Sequence, residues 1–225
     1  MTGPIRPEPI EERLAKRLST RDASVGDSTA VWVLGKLGGL DSAIYRAVAG
    51  MSTPQLDGPL RRLSDFANFS KPWFLIAGLL GLFGGANGRR AALTGVTAIG
   101  LASFVVNQPM KLVGERHRPD RTQLGVPESR WVSMPSSTSF PSGHSASAAA
   151  FATSVGDMLP ALRLPLRMAA AAVMFSRVYT GVHYPGDVIA GAAAGVLAGR
   201  MTSTIVRRLL RRPARRRSVL PPTTI

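Results

Sequence analysis

The sequence predicts an all-α protein: an integral membrane helical bundle of about five transmembrane helices, with amphipathic helices before them. Three observations carry that reading. Long apolar runs lack charge, Arg clusters fall on one side of a serpentine of spans, and acids are scarce. No Asp or Glu occurs from Phe66 to Gly114, and only Asp157 and Asp187 follow Glu128. The net charge is +15, with 24 Arg against 4 Lys. The Arg, Ala and Gly bias fits a GC-rich bacterial genome. At 225 residues the chain has room for one domain or one small membrane bundle.

Pro72 to Gly88 carries no charge over 17 residues, and Ala91 to Met110 carries none over 20. Either is long enough to span a bilayer, which takes roughly 17–25 mainly apolar residues. Three less pure runs follow: His144 to Leu162, Leu166 to about Val182, and Asp187 to Val206. They are rich in Ala and Gly, which suits close helix contact inside a bundle. Five such runs in succession leave too little polar surface for a soluble all-α protein. Residues 1–27 are polar and charged and have no apolar core of a cleavable signal. Leu40 to Leu63 reads as two short interfacial helices, broken by Pro54 and Pro59. The chain thus divides into a polar segment 1–27, a membrane domain 28–206 and a basic tail 207–225.

Charge sets the orientation. Arg89 and Arg90, Arg163 and Arg167, and seven Arg of the tail from Arg207 to Arg217 lie on one side of a five-span serpentine. The positive-inside rule assigns that side to the cytoplasm of a plasma (inner) membrane, crossed several times. The opposite, outer side holds Lys111 to Trp131 and the segments around Pro141 and His183. A basic tail beside a last span attracts anionic head groups, so the partners expected are membrane lipids rather than nucleic acid. Aromatic residues at 6% also argue against a stacking platform for single strands. The absence of Cys excludes disulfides and Cys-ligated zinc or iron–sulfur centres.

Three polar islands fall on the outer side. Lys111-Leu-Val-Gly-Glu-Arg-His-Arg118-Pro119 follows an apolar run and is densely cationic. Lys offers phosphate a compact charge, and Arg a planar fork. Alone, such an island is ordinary flanking charge at a helix end. Pro141-Ser142-Gly143-His144 opens the third span, where helix N–H groups and the Ser142 hydroxyl can face an anion. His144 adds a group that exchanges protons near neutral pH. Taken singly, this is also what a helix cap with a surface His looks like. Ser176-Arg177 is followed after five residues by His183, and after three more by Asp187. Four positions apart, His183 and Asp187 share one side of a helical turn. A carboxylate on one imidazole nitrogen leaves the other free as a nucleophile. Asp187 by itself would be a common acid at a helix start.

Together, in this order and at these spacings, the islands resemble the three-part signature of the type 2 phosphatidic acid phosphatase (PAP2) superfamily, over residues 40 to 206. The resemblance implies a helical membrane bundle of lipid phosphate phosphatases that needs no metal and no cofactor. The common pattern has six spans, and this chain lacks a clean first one. His183 would attack phosphorus to form a phosphohistidine, and Asp187 would orient it. His144 would protonate the departing oxygen and then activate water. Lys111, Arg118, Ser142, Gly143 and Arg177 would bind the phosphate oxygens. Glu115, Arg116 and His117 are not signature positions, although Arg116 and His117 lie close enough to assist a second charge or a sugar. Residues 120–140 form a loop over the site in which Trp131 would touch the head group or the membrane interface.

The expected substrate is a lipid phosphate, with a polyprenyl phosphosugar or polyprenyl diphosphate favoured over phosphatidate or phosphatidylglycerophosphate. Small residues at 145–153 and 190–199 would leave a lateral groove for a thin isoprenoid chain, unless they serve helix packing. Two other functions fit the same residues: a vanadate-dependent haloperoxidase, against which the apolar spans speak, and a non-catalytic lipid-phosphate binder or transporter.

Overall fold

The computed structural model describes residues 38–110 and 116–211, so Lys111, Glu115, the first 37 residues and the end of the basic tail lie outside it. The described residues form helices joined by short links and one long loop. Helix α1 covers residues 38–49. Helix α2 is Pro54–Phe66, α3 is Lys71–Phe83 and α4 is Gly85–Val105. After the loop come α5, Gly143–Met158, α6, Arg163–Tyr179, and α7, Pro185–Arg211.

Helix α5 is the centre of the bundle. Every residue from Ser145 to Gly156 is buried, which explains why this run is Ala and Ser rather than Leu. It packs most extensively on α7, then on α4 and α6. The α5–α7 contact depends on Gly191 and Gly195. A Cβ at Gly191 would lie 2.3 Å from the Ser142 carbonyl oxygen, and one at Gly195 would lie 2.2 Å from that of Ala146. The small residues of 190–199 therefore bring two backbones together and leave no isoprenoid groove between them, which settles that expectation in favour of packing.

The boundaries differ from those read from hydropathy. The first apolar run does not continue to Gly88. Helix α3 stops at Phe83, the chain turns at Gly84, and Gly85 takes a left-handed φ of 59°. Arg89 and Arg90 thus sit in the first turns of α4 rather than in a link. Pro54 falls at the break between α1 and α2, where it starts α2, but Pro59 lies inside α2 without breaking it. Two helices, Gly85–Met110 and Pro185–Leu210, are each long and apolar enough to cross a membrane. The pair Pro54–Phe66 and Asn68–Phe83, bent by 69°, would make a third if it crosses as one unit. Leu82, Phe83, Leu93, Phe104, Leu197 and Ile205 are exposed along these helices. Apolar exposure on that scale is what a lipid-facing surface shows.

The bundle has two chemically distinct ends. At one, Asp157 pairs with Arg163 at 3.8 Å, accepts a hydrogen bond from Ser203, and offers its carbonyl to Arg207. At the other, the N-termini of α5 and α7 lie side by side, tied by the Ser142 N–H donating to the Asp187 carbonyl at 2.9 Å. The second and third polar islands meet there.

Candidate active site

Each functional side chain is placed by a helix end. Asp187 lies in the first turn of α7, and His183 just before it, in the turn that follows α6. The His183 Nδ1 stands 3.5 Å from Asp187 Oδ2 and 3.4 Å from Ser139 Oγ. The Asp187 carboxylate also accepts from the Ser139 hydroxyl and, at 2.9 Å, from the Tyr184 N–H. These acceptors hold the imidazole proton on Nδ1. The Nε2 atom is then unprotonated and faces Arg118 Nη1 at 3.3 Å.

Arg118 is held by carbonyl groups. Its Nε donates to Ser137 O at 2.9 Å and its Nη1 to Val182 O at 2.9 Å. Arg118 and His183 line a cleft of ≈ 210 Å³ together with Gly143 and His144. Nothing lies within 4 Å of where a Gly143 side chain would begin, so the backbone at the start of α5 is open to a ligand. Ser142 is the α5 N-cap, with its Oγ accepting from Ser145 N. His144 meets Asn68 Oδ1 through Nε2 at 3.0 Å.

Arg177 is 1% exposed, and its Nη1 donates to Ser64 O at 3.0 Å and to Ser64 Oγ at 2.6 Å. Its Nε, also buried, has no hydrogen-bond partner among the described residues. An unsatisfied buried donor is costly, and a phosphate oxygen is a group that can satisfy it. Of the residues singled out in sequence, the structure gathers His144, His183, Asp187, Arg118, Ser142 and Gly143 around the α5 and α7 N-termini, with Arg177 behind them. Lys111 lies outside the described residues.

Two expectations change. Arg116 lines a larger hollow beside the cleft, but its guanidinium is already paired with two carboxylates of the protein. It is 7% exposed, bridges Asp41 at 2.6 Å and Asp187 at 3.1 Å, and stacks 4.0 Å above the Tyr184 ring. His117 is exposed and borders the same hollow, of ≈ 490 Å³, which shares Arg118, Ser137 and Thr138 with the cleft. Trp131 is half-buried and anchored to the protein. Its Nε1 donates to Val126 O at 3.0 Å, and its ring packs beside Tyr45 and Val178, pinning the long loop to α1 and α6.

Burial lowers the His183 pKa from its ordinary value to about 4, with Arg118 and Arg177 adding to the effect and Asp187 opposing it. Nε2 is therefore a free base at neutral pH. The sign for stability follows. In the unfolded chain this His takes up a proton near about 6.5, in the folded protein only near about 4. Acid thus favours the unfolded state, and the loss develops as pH falls from about 6.5 towards 4. Thermal midpoints in detergent should drop across that window. His183→Gln, which cannot titrate, should flatten the slope there; an unchanged slope would contradict the assignment.

A base with a bare nitrogen, an imidazole lining the same cleft, a guanidinium beside the base and a second one behind it suit transfer of a phosphoryl group to nitrogen and then to water. The comparisons agree with that chemistry. The PAP2 superfamily model matches residues 91–211. The chain is 33% identical over 153 residues to decaprenylphosphoryl-5-phosphoribose phosphatase of Mycobacterium tuberculosis, covering 68% of this chain and 81% of the relative. It is 27% identical over 162 residues to the undecaprenyl-diphosphatase BcrC of Bacillus subtilis, covering 69% and 79%. Its fold matches that of a transmembrane PAP2-type phosphatidylglycerolphosphate phosphatase from Bacillus subtilis with a TM-score of 0.59 at 22% identity, over 90% of this chain and 96% of the other. Signature spacing, site geometry and these matches converge: the chain belongs to the PAP2 superfamily of phosphatases.

Proposed function

We propose that this membrane phosphatase removes a terminal phosphate from a lipid phosphate through a phosphohistidine, with a polyprenyl phosphosugar or polyprenyl diphosphate as the favoured substrate. The observation that carries the mechanism is His183, with Nδ1 on the Asp187 carboxylate and Nε2 bare beside Arg118 at 3.3 Å. Nε2 attacks phosphorus, and the bond to the lipid oxygen breaks as the N–P bond forms. His144 gives that oxygen a proton. Water then attacks the phosphohistidine, returns a proton to His144, and phosphate leaves. Arg118, Arg177, the Gly143 N–H, the Ser142 hydroxyl and Lys111 stabilise charge on the five-coordinate phosphorus.

The favoured lipid class rests on the names of the curated relatives, two of which act on polyprenyl substrates, and on the hollow beside Arg118 and His117, which has room for a sugar. The deciding experiment is competition in mixed micelles between a polyprenyl phosphosugar or diphosphate and phosphatidate. A tenfold preference for phosphatidate in kcat/KM, about 1.4 kcal/mol of transition-state discrimination, would move the protein to the glycerolipid side.

In this reading residues 28–206 form the phosphatase domain, the chain crosses the membrane five times and 207–225 is a cytoplasmic basic tail. The support is the Arg-rich end of the bundle opposite the cleft. The cleft then opens on the outer face. Ser133 is exposed in the long loop on the cleft side. A cysteine placed there is expected to react with an impermeant thiol reagent in intact cells; labelling only after lysis would reverse the orientation.

A further inference from the structure

We propose that Asn68 is a positioning residue for His144, fixing which imidazole nitrogen handles the proton. The inference rests on the reading of His144 as proton donor. Asn68 lies N-terminal to the residues matched by the family model, and none of the three polar islands includes it.

The Asn68 Oδ1 lies 3.0 Å from His144 Nε2. An amide oxygen only accepts hydrogen bonds, so Nε2 carries a hydrogen in both protonation states of the ring. The proton that moves is then the one on Nδ1. It passes to the lipid oxygen as the P–O bond breaks, and a proton from the attacking water replaces it in the second step. His183 has a carboxylate partner, whereas His144 has a neutral amide. A carboxylate would favour the imidazolium and weaken it as an acid. An amide oxygen fixes the ring with a much smaller effect of that kind.

The backbone at Asn68 is shaped for the task. It begins the 3₁₀ turn Asn68–Ser70, where the pair α2–α3 bends by 69°. The next two residues are both left-handed, Phe69 at φ 58° and Ser70 at φ 59°. Two consecutive non-glycine residues in that region form an unfavourable turn, the kind that persists where a functional geometry requires it. Phe69 and Ser70 also line the cleft beside His144. One helical turn earlier, Ser64 receives the Arg177 guanidinium. The end of α2 and the turn after it therefore brace two site residues, Arg177 through Ser64 and His144 through Asn68.

The test separates positioning from folding by leaving group. Phosphoenzyme formation is measured by rapid quench with a long-chain alkyl phosphate, whose departing oxygen needs an acid, and with nitrophenyl phosphate, whose departing oxygen does not. Asn68→Leu keeps the approximate shape and removes the acceptor. It should lower the alkyl-to-nitrophenyl rate ratio by about 10- to 100-fold, within the 10²–10⁴ attributed to a whole general acid. Asn68→Asp restores an acceptor oxygen and should recover part of that ratio, short of wild type because a carboxylate weakens the imidazolium as an acid. Equal losses on both substrates, no loss on either, or no recovery with Asp would overturn the proposal. His144→Ala is run beside them. If that variant leaves the ratio unchanged, the acid assignment itself fails; if it lowers the ratio and Asn68→Leu does not, only the role of Asn68 is refuted.

Discussion

His183→Ala is expected to abolish both turnover and the phosphoenzyme, while His144→Ala separates the two. No other described side chain offers a bare nitrogen held by a carboxylate within the cleft, so in the proposed mechanism removing His183 removes the nucleophile and leaves nothing among the described residues to replace it. In the same mechanism His144 acts on the departing oxygen, and its loss is expected to matter in proportion to how poor the leaving group is. With a lipid alkoxide the expected loss is about 10²–10⁴-fold. With nitrophenyl phosphate the first step needs little acid, so phosphoenzyme should still form and then accumulate, because His144 also activates the water that clears it. Labelled phosphate trapped on the His144→Ala protein, and none on His183→Ala, is the result to look for. A folded His183→Ala variant that still turns over would overturn the mechanism.

The parts of this site legible in sequence are those defined by short spacing. His183 and Asp187 are one helical turn apart, and the Pro141-Ser142-Gly143-His144 run marks a helix start, so local geometry alone brings out their chemistry. Asp41 and Arg116, and Asn68 and His144, are pairs separated by more than 70 positions, and nothing in either member forecasts the other. A signal existed for Arg116 all the same. A cation at the mouth of an apolar bundle, two residues from Arg118, is either exposed or paired, and Asp41 is among the few acids in the chain. The same limit explains the spans. Hydropathy sees apolar length, but the break at Gly84 and Gly85 is a backbone event inside an apolar run. Likewise, α5 is buried by its neighbours rather than by lipid, which composition alone does not distinguish.

The second large effect is expected from Arg116, and it should appear first in stability. Its guanidinium stands between two carboxylates, Asp41 at 2.6 Å and Asp187 at 3.1 Å, and all three residues are buried. Asp41 in turn accepts from the Gly186 N–H at 2.6 Å, and the Arg116 carbonyl accepts from the Ser139 N–H at 2.8 Å. The side chain thus ties α1 to the start of α7, while the backbone of the same residue holds the loop that delivers Ser139 to Asp187. Arg116→Leu leaves two acids facing one another without a cation. Breaking a buried ion pair from one side typically costs about 3–5 kcal/mol, a large share of the stability of a domain. Arg116→Lys should recover only part of this, because a point charge cannot serve both carboxylates as a planar fork does. The double variant Asp41→Asn with Arg116→Leu should be more stable than the sum of the single losses, since it also removes one of the stranded charges. Thermal unfolding in detergent reads all three. The fraction of Arg116→Leu that folds should also turn over more slowly, because the Asp187 carboxylate loses a guanidinium that fixes its position against His183 Nδ1. Wild-type midpoint and wild-type rate in Arg116→Leu would show that the bridge between Asp41 and Asp187 contributes to neither.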